Sequence, residues 1–188
     1  MQTRLLLISH AATPAMRSGK FPANDRLDER GIEDAAAWSA RMPVLGAPLM
    51  LSSPASCAQE TARLLVLTAR IEPQLADMDY GRWLGRRLAD IAVDEPDALA
   101  EWSQNPHVAP HGGESFSAVV KRVGTWMDGL ESGDEVVAVT HAAVIRAAII
   151  HALQVPPAAF LKIEIAPLSL IELRRSARGW AWWPGRSE

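Results

Sequence analysis

Two short, mostly apolar runs dominate the hydrophobic pattern of the chain, and each run ends at a histidine. Residues 4–9 read RLLLIS and precede His10, and residues 135–140 read EVVAVT and precede His141. Apolar runs of this length are typical of strands buried on both faces of a parallel sheet. Ligands bind beyond the carboxyl ends of such strands. The pattern therefore predicts that the two histidines meet in one pocket.

Between these strands the chain first predicts a loop and then a helix. Residues 11–27 contain prolines and glycine without a clear period, which indicates a loop. Asp28 is a suitable N-cap for a helix that runs to about Met42. The apolar positions of this helix recur at helical spacing, at Ile32, Ala36 and Ala40.

A second strand and a second helix are predicted next. Residues 48–52 form the strand, and Ser53 followed by Pro54 indicates an N-cap and a first-turn proline. The apolar pattern continues this helix through residues 61–69. Residues 71–75 are predicted to form a short edge strand.

The second half predicts further helices and a β-rich tail. A short helix is expected around residues 97–103, a long amphipathic helix over residues 115–130, and another helix directly after His141. The tail is expected to contain two or three antiparallel strands, at residues 162–166, 169–175 and 179–183. Together these elements predict one α/β domain over residues 1–188, with a largely parallel central sheet.

Composition and charge exclude several classes of protein. The 188-residue chain has a net charge of −3, whereas nucleic-acid-binding modules are usually basic. No apolar run approaches the roughly 20 residues of a membrane span, and the apolar segment before His10 is too short for a signal peptide. Cys57 is the only cysteine, which excludes a disulfide framework within the chain. A cytoplasmic protein that binds neither nucleic acid nor membrane is expected.

Six short segments, in a fixed order, carry a family resemblance. The first is LLLISHAAT and the last is VVAVTHAAVIR, and between them lie RLDERGIEDA, LSSPASCAQETARLL, LADMDYGRWLG and HGGESF. These segments resemble the motifs of the histidine phosphatase superfamily, which includes phosphoglycerate mutases and α-ribazole phosphatases. The resemblance covers nearly the whole chain. It implies a three-layer α/β/α sandwich of the phosphoglycerate mutase type.

The resemblance also implies a reaction and roles for individual residues. The expected activity is hydrolysis of a phosphoric monoester through a phosphohistidine, with no metal or other cofactor and with a small phosphorylated substrate or anion as the ligand. His10 is expected to be the nucleophile, His141 to contact the phosphoryl oxygens, and Asp77 to act as the acid where the family has glutamate. The residues expected to contact the substrate are Ser9, Thr13, Cys57, His111 and Ala142.

The positions that hold phosphate in the family differ in this chain. Ser9 and Cys57 stand where the family has arginines, and neither side chain can reproduce the bidentate contacts of a guanidinium. His111, directly before two glycines, is the candidate to supply a substitute donor. Five basic loop residues are expected to form a solvated rim instead: Arg17, Lys20, Arg82, Arg86 and Arg87.

Two classes of function therefore stay open. One is a phosphoric-monoester hydrolase with an altered phosphate pocket, which the two retained histidines favour. The other is a catalytically impaired relative that binds a ligand or a protein partner, which the loss of both arginines favours. We take the hydrolase as the working hypothesis.

Three further interpretations concern single residue types. A metal site could be assembled from His10, His107, His111, His141 and Asp77, but the close metal-ligand spacings are absent and no metal is predicted. Cys57, in the first turn of a predicted helix, could be a thiolate nucleophile, although a lone cysteine is usually a small buried apolar residue. Alternation along the last strand can bury only part of its tryptophan set. Exposed tryptophans there would suggest a homodimer or another partner contact.

Overall fold

A six-stranded mixed sheet with helices on both faces forms the centre of the computed structural model, which describes residues 2–41 and 48–184. The strands are β1 (Thr3–Ser9), β2 (Leu49–Ser52), β3 (Arg70–Ile71), β4 (Glu135–Thr140), β5 (Leu170–Ser176) and β6 (Gly179–Trp183). Their spatial order is β3-β2-β4-β1-β5-β6. The first four are mutually parallel, and β5 and β6 add antiparallel pairs at one edge. The predicted α/β sandwich with a mainly parallel sheet is confirmed.

Seven α-helices connect the strands in the described part of the chain. They are α1 (Pro14–Arg17), α2 (Glu29–Trp38), α3 (Ser56–Leu64), α4 (Leu88–Asp94), α5 (Pro96–Gln104), α6 (Phe116–Asp128) and α7 (Ala142–Leu153). Short 3-10 turns cover Ser39–Arg41, Pro73–Leu75, Gly81–Trp83 and Pro157–Lys162. Among the described residues, no helix is both long enough and apolar enough to cross a bilayer.

The two faces of β1 pack into two different apolar clusters. Leu5 and Leu7 belong to the large cluster with α6 and α7, and Leu6 and Ile8 belong to the cluster with α3. All four side chains are fully or almost fully buried, and burying one such side chain contributes about 1.5–3 kcal/mol. This two-sided burial explains why the strand reads as a continuous apolar run.

The N-terminal helices differ from the sequence prediction in two respects. The predicted loop over residues 11–27 contains the short helix α1, capped by the Thr13 hydroxyl. Helix α2 begins after its N-cap Asp28 as predicted, but its buried positions are Gly31 and Ala35. The apolar positions used for the prediction are exposed, among them Ile32, Ala36 and Ala40. The predicted end at Met42 lies outside the described residues.

Helix α3 starts later and ends earlier than the sequence indicates. Its N-cap is Ala55, two residues after the predicted cap Ser53, and it ends at Leu64 rather than at residue 69. Val66 adopts a left-handed conformation with φ of 59°, which is incompatible with continuing the helix. The predicted edge strand over residues 71–75 is β3 followed by a 3-10 turn.

The C-terminal half follows the prediction closely except near residues 162–166. The long helix is α6 with Ser115 as its cap, and the strand before His141 has the predicted limits. The predicted strand at residues 162–166 is absent, because the chain there is a 3-10 turn followed by irregular backbone. Helix α4 was not predicted.

The exposed tryptophans among the described residues lie on β6, where the sequence predicted that only part of the tryptophan set could be buried. Trp182 and Trp183 are 52% and 43% exposed. The Arg174 guanidinium lies 4.1 Å from the centre of the Trp183 ring, which gives this side chain a cation–π partner within the fold.

Candidate active site

The register of β1 and β4 brings the two strand-end histidines side by side. Ser9 pairs with Thr140 in the parallel ladder, so the next residue on each strand is His10 or His141. The His10 amide donates to the Thr140 carbonyl at 2.9 Å, which extends the pairing by one residue. The two imidazole centroids are 5.0 Å apart. The prediction that the histidines converge in one pocket is confirmed.

The surroundings of His10 determine which ring nitrogen is free. Its Nδ1 lies 2.7 Å from the Ala11 carbonyl oxygen. A carbonyl can only accept, so Nδ1 carries the proton and Nε2 keeps a free lone pair. Burial, together with the neighbouring His141, lowers the pKa of His10 well below its usual range. A neutral ring with a free Nε2 is the form that can act as a nucleophile.

His141 is held by a hydrogen bond on one side of its ring. Its Nε2 lies 2.8 Å from the Ser53 hydroxyl, and only 3% of the residue is exposed. Burial, together with the charge of Arg122, lowers its pKa to about 3. The other nitrogen, Nδ1, is 3.3 Å from an Asp77 carboxylate oxygen but has no hydrogen-bond partner within the described residues. His141 is therefore neutral, with one ring nitrogen unpaired.

Asp77 supplies the carboxyl group of the site. Burial raises its pKa above the usual aspartate range, although a hydrogen bond from the Met78 amide and the charge of Arg122 oppose the rise. A carboxyl with a raised pKa retains its proton closer to neutral pH than an ordinary aspartate does. This is the property required of a general acid.

Arg122 on α6 fixes the segment that leads to Asp77. Its guanidinium donates two hydrogen bonds to the Glu114 carboxylate, at 3.0 and 2.8 Å. It also donates to the carbonyls of Gln74 and Ala76, at 2.6 and 3.2 Å. A planar five-donor group can satisfy all these acceptors at once, whereas a lysine cannot. Arg122 therefore positions Asp77 from outside the cavity.

Two glycines allow the Asp77 segment to pack directly on the HGGESF loop. A Cβ added to Gly113 would lie 2.1 Å from the Asp79 carbonyl oxygen, and one added to Gly81 would lie 2.3 Å from the His111 carbonyl oxygen. Either contact is too short for a side chain. The amide of Glu114 donates to the Asp79 carbonyl at 2.8 Å across this contact.

Cys57 lies in the first turn of α3, next to the histidine pair. One ligand atom from each of Cys57, His10 and His141 falls within 4.8 Å of the others. The thiol is buried, and burial, aided by the negative charge of Asp77, raises its pKa to about 12. A neutral thiol is a poor nucleophile. The alternative that Cys57 attacks substrate as a free thiolate therefore has no support.

These groups line a cavity of about 310 Å³. Of the residues proposed from sequence, the cavity brings together His10, Thr13, Cys57, Asp77, His141 and Ala142. Its apolar wall includes Met16, Met78, Tyr80, Leu84 and Ala143, and its cationic members are Lys20 and Arg146. The cavity surface is thus largely apolar apart from the residues at the histidines and a few other polar side chains, which are Lys20, Asn24, Asp25 and Arg146.

Two expected substrate contacts do not reach this cavity. The Ser9 hydroxyl is buried and donates to the Ala166 carbonyl at 2.6 Å, on the side of β5. The His111 ring is buried against Trp83, with centroids 5.1 Å apart, and its Nδ1 accepts a hydrogen bond from the Gly113 amide. The expectations for Ser9 and His111 are corrected accordingly, because both side chains are committed to the loop packing around the site.

The expected basic rim is mostly paired with acidic side chains. Arg17 bonds to Asp28, Arg82 to Glu95, and Arg86 to Asp94 and Glu95. Only Lys20 of that set lines the cavity. The other two histidines of the proposed metal set lie away from the cavity: His107 is exposed beside Ser117, and His111 is buried against Trp83. That five-residue metal site is not assembled.

Three residues with roles at the site were missed from the sequence. Ser53 was assigned as a helix cap, although the apolar strand before it resembles the strands before the two histidines. Thr61 accepts from the Ala11 amide at 3.0 Å and donates to the Cys57 carbonyl at 2.8 Å, which ties the loop after His10 to α3. Nothing in the local sequence distinguishes Arg122 from other surface arginines.

Comparison with known proteins identifies the relatives of the chain. The family model of the histidine phosphatase superfamily (branch 1) matches residues 5–183. The chain is 30% identical over 184 residues to the bifunctional protein Rv2228c of Mycobacterium tuberculosis, a match that covers 90% of the chain and 50% of that protein. The chain thus spans about half the length of this curated relative.

Two further similarities extend over most of both proteins. The metal-independent phosphoserine phosphatase of Arabidopsis thaliana is 30% identical over 188 residues, covering 92% of the chain and 77% of the relative. The crystal structure of the α-ribazole phosphatase from Shigella flexneri superposes with a TM-score of 0.85 at 25% identity. That superposition covers 96% of the chain and 94% of the solved structure.

Proposed function

The chain belongs to the histidine phosphatase superfamily, and on that premise we propose that it hydrolyses phosphoric monoesters through a phosphohistidine on His10. The observation that carries the proposal is the free Nε2 of His10, fixed by the hydrogen bond between Nδ1 and the Ala11 carbonyl. His141 lies beside it, and Asp77, 3.3 Å from His141 Nδ1, lines the same cavity.

The first chemical step transfers the phosphoryl group to the enzyme. The lone pair of His10 Nε2 attacks phosphorus as the bond from phosphorus to the ester oxygen breaks. Asp77 gives its proton to the departing alkoxide, so the alcohol leaves neutral. His141 Nδ1, which has no hydrogen-bond partner within the described residues, donates a hydrogen bond to a phosphoryl oxygen when its Nε2 accepts from the Ser53 hydroxyl.

The second step returns the enzyme to its starting state. Asp77, now ionised, accepts a proton from a water molecule that attacks phosphorus. The bond between His10 Nε2 and phosphorus breaks, inorganic phosphate leaves, and Asp77 is protonated again. One carboxyl therefore serves as acid and then as base, which requires a pKa nearer neutrality than that of an ordinary aspartate.

Besides the hydrogen bond from His141, two further groups stabilise the charge on the phosphoryl group. Helix α7 begins at the cavity with His141 as its N-cap and no side-chain cap, so its first backbone amides are available to an anion. Arg146 lines the same cavity, although its Nε donates to the Ile163 carbonyl at 2.6 Å. We infer weaker phosphate binding than two cavity-facing arginines would provide.

The substrate that fits this cavity is a small phosphoric monoester with an apolar organic group. The phosphoryl group lies at the histidines, and the alcohol portion contacts the wall formed by Met16, Met78 and Leu84. The named activities of the relatives, such as hydrolysis of phosphoserine, fall within the same class of small phosphoric monoesters.

The experiment that tests the function uses the full chain and its His10→Ala variant. Phosphate release from aryl and alkyl phosphates is measured, and phosphoryl-enzyme is trapped by rapid denaturation in base, where phosphohistidine is stable. We expect slow turnover and a trapped phosphoryl group in the parent, and neither in His10→Ala. Turnover that survives the substitution contradicts the proposal. His107→Ala, an exposed histidine outside the cavity, is the matched control.

A second candidate is a relative that binds an anion without hydrolysing it. The observation that favours it is the cavity wall, where a neutral thiol at Cys57 occupies a position that could otherwise hold a cation. Vanadate or phosphate binding by calorimetry, in the absence of any turnover and of any trapped phosphoryl group, supports this alternative over hydrolysis.

A further inference from the structure

Three side chains from distant parts of the chain converge on one point of the cavity wall. His10 follows β1, Cys57 lies in α3 and His141 follows β4, and one ligand atom of each falls within 4.8 Å of the others. Tetrahedral coordination by nitrogen at about 2.0 Å and sulfur at about 2.3 Å places ligand atoms roughly 3.5 Å apart. Small side-chain rotations would close the difference.

The two histidines are already oriented as metal ligands usually are. A ligating histidine commonly donates its second ring N–H to a backbone carbonyl or another oxygen, which fixes the ring and its tautomer. His10 makes this contact with the Ala11 carbonyl, and His141 can make it with the Ser53 hydroxyl. A hydroxyl both donates and accepts, so Ser53 permits the tautomer in which His141 Nδ1 presents a lone pair.

The unpaired Nδ1 of His141 points independently to a missing partner. Only 3% of His141 is exposed, and its Nδ1 has no hydrogen-bond partner within the described residues. A buried polar atom without a partner costs about 1–3 kcal/mol. A bound cation at this nitrogen would remove that cost.

The charges of the cluster match a divalent cation. Coordination would displace the thiol proton to solvent, and the resulting thiolate and the ionised Asp77 carboxylate, 3.3 Å from His141 Nδ1, balance a charge of +2. One thiolate and two imidazoles form a borderline-soft donor set, which suits Zn²⁺ and related ions and not Mg²⁺ or Ca²⁺.

We propose that His10, Cys57 and His141 form a site for Zn²⁺ or a related thiophilic divalent ion, with the Asp77 carboxylate beside it and a solvent molecule completing the coordination. Metal and phosphoryl group exclude each other at this site, because the metal takes the lone pair of His10 Nε2. The metal-bound protein is therefore an inhibited form of the hydrolase. Binding of the ion does not depend on whether the metal-free protein hydrolyses esters.

The experiment titrates the untagged, metal-free chain with Co²⁺ and records its absorption spectrum. Cys57 is the only cysteine, so a thiolate-to-cobalt charge-transfer band reports this site alone. We expect one equivalent of Co²⁺ to produce that band together with the visible bands of tetrahedral Co²⁺, and Zn²⁺ to displace it. A spectrum without the charge-transfer band overturns the proposal, and this measurement needs no variant.

Variants then test the assignment of the ligands. Cys57→Ser and His10→Ala are expected to weaken Zn²⁺ binding roughly a hundredfold or more, whereas His107→Ala leaves it unchanged. Thermal unfolding provides a second measurement, since Zn²⁺ at about a hundred times Kd should raise the Tm of the parent by roughly 5–10 °C. An equal rise in folded Cys57→Ser would contradict the assignment.

The two proposals fail separately. Co²⁺ binding without any ester hydrolysis would reject the proposed hydrolase activity and support the proposed metal site. Ester hydrolysis that Zn²⁺ does not inhibit, together with the absence of a charge-transfer band, would reject the proposed metal site and support the proposed hydrolase activity.

Discussion

The hydroxyl of Ser53 lies 2.8 Å from Nε2 of His141, so the residue that directly follows β2 orients the residue that directly follows β4. Three neighbouring parallel strands thus deliver three side chains to one site, because β2, β4 and β1 are adjacent in the sheet. His141 depends on this contact, since its other ring nitrogen has no hydrogen-bond partner within the described residues.

Ser53→Ala is expected to reduce kcat/KM by roughly tenfold to a hundredfold. The substitution leaves Nε2 of His141 without its partner, a change of about 1–3 kcal/mol in a buried site. The matched control is Ser52→Ala, because Ser52 is equally buried and its hydroxyl bonds to the Ser53 carbonyl rather than to a histidine. A similar loss of activity in both variants would show that general destabilisation, and not orientation of His141, is responsible.

Hydrolysis of alkyl phosphates is expected to fall as the pH rises through the raised pKa of Asp77. The carboxyl must be protonated when an alkoxide leaves, whereas the lowered pKa of His10 keeps that ring neutral over the same range. Aryl phosphates, whose leaving groups need less protonation, should show a weaker dependence. Rate profiles against pH for both substrates check this expectation.

In Asp77→Asn, the rate of alkyl phosphate hydrolysis should no longer fall as the pH rises through this range, and it should be lower than that of the parent by roughly a hundredfold or more. Asp79→Asn is the control, because Asp79 is exposed and its Oδ1 accepts from the Gly81 amide, as an asparagine oxygen also can. An unchanged profile in Asp77→Asn would exclude Asp77 as the acid.

Asp77→Asn is also expected to stabilise the protein near neutral pH. The pKa of Asp77 is raised in the folded protein above its ordinary value of 3.8. At pH values between 3.8 and the raised pKa, Asp77 is more protonated in the folded state than in the unfolded state. The free energy of unfolding of the parent therefore decreases as the pH rises through this range. Urea unfolding of the parent and the variant at several pH values measures the difference, which should vanish below pH 3.8. A variant that is less stable at neutral pH would contradict the burial argument.

Cys57→Arg is expected to strengthen vanadate binding by roughly tenfold to a hundredfold, whereas Ser9→Arg is not. A guanidinium at the Cys57 position enters the cavity wall and can donate to the oxygens of the anion, at about 1.5–3 kcal/mol for such a contact. The Ser9 side chain points instead to the Ala166 carbonyl. Calorimetric titration with vanadate distinguishes the two, with Cys57→Ala as the control for loss of the thiol. Stronger binding in Ser9→Arg would contradict the geometry.

Gly113→Ala is expected to lower both stability and activity. The added methyl group meets the Asp79 carbonyl oxygen at 2.1 Å, and relief of such a contact typically costs about 1–3 kcal/mol. The displaced backbone carries Asp77, so kcat should fall with the Tm. Gly129→Ala at the end of α6 is the control, since its nearest contact would be 3.4 Å.

The strands that carry the histidines were predictable because both of their faces are buried. All four side chains from Leu5 to Ile8 are apolar and buried, so the segment shows no polar face of the kind that an amphipathic helix or a half-exposed strand would have. Helix α2 was assigned the wrong buried face, because Gly31 packs against the Ala12 backbone, where a Cβ would lie 2.3 Å from the carbonyl oxygen. Close approach through a glycine produces no hydrophobic signal in the sequence.

His10 and His141 were predictable because each directly follows a buried strand, and Asp77 was assigned through the family resemblance. Side chains whose direction is set by tertiary packing were not predictable. His10, His141 and Asp77 meet as expected. Ser9 and His111 belong to matched motifs, yet their side chains face Ala166 and Trp83. Motif order gives the position of a residue along the backbone and not the orientation of its side chain.

The pairing of Ser9 with Thr140 makes the site far more sensitive to insertions and deletions than to substitutions in the strands. Apolar exchanges within β1 or β4 that conserve volume should cost less than about 1.5 kcal/mol. Deleting one residue from β4 would instead shift His141 by about 3.3 Å and turn its side chain to the opposite face of the sheet. His10 and His141 stay adjacent only while both strands keep their lengths. The register between β1 and β4 is therefore as important to the candidate active site as the identity of its side chains.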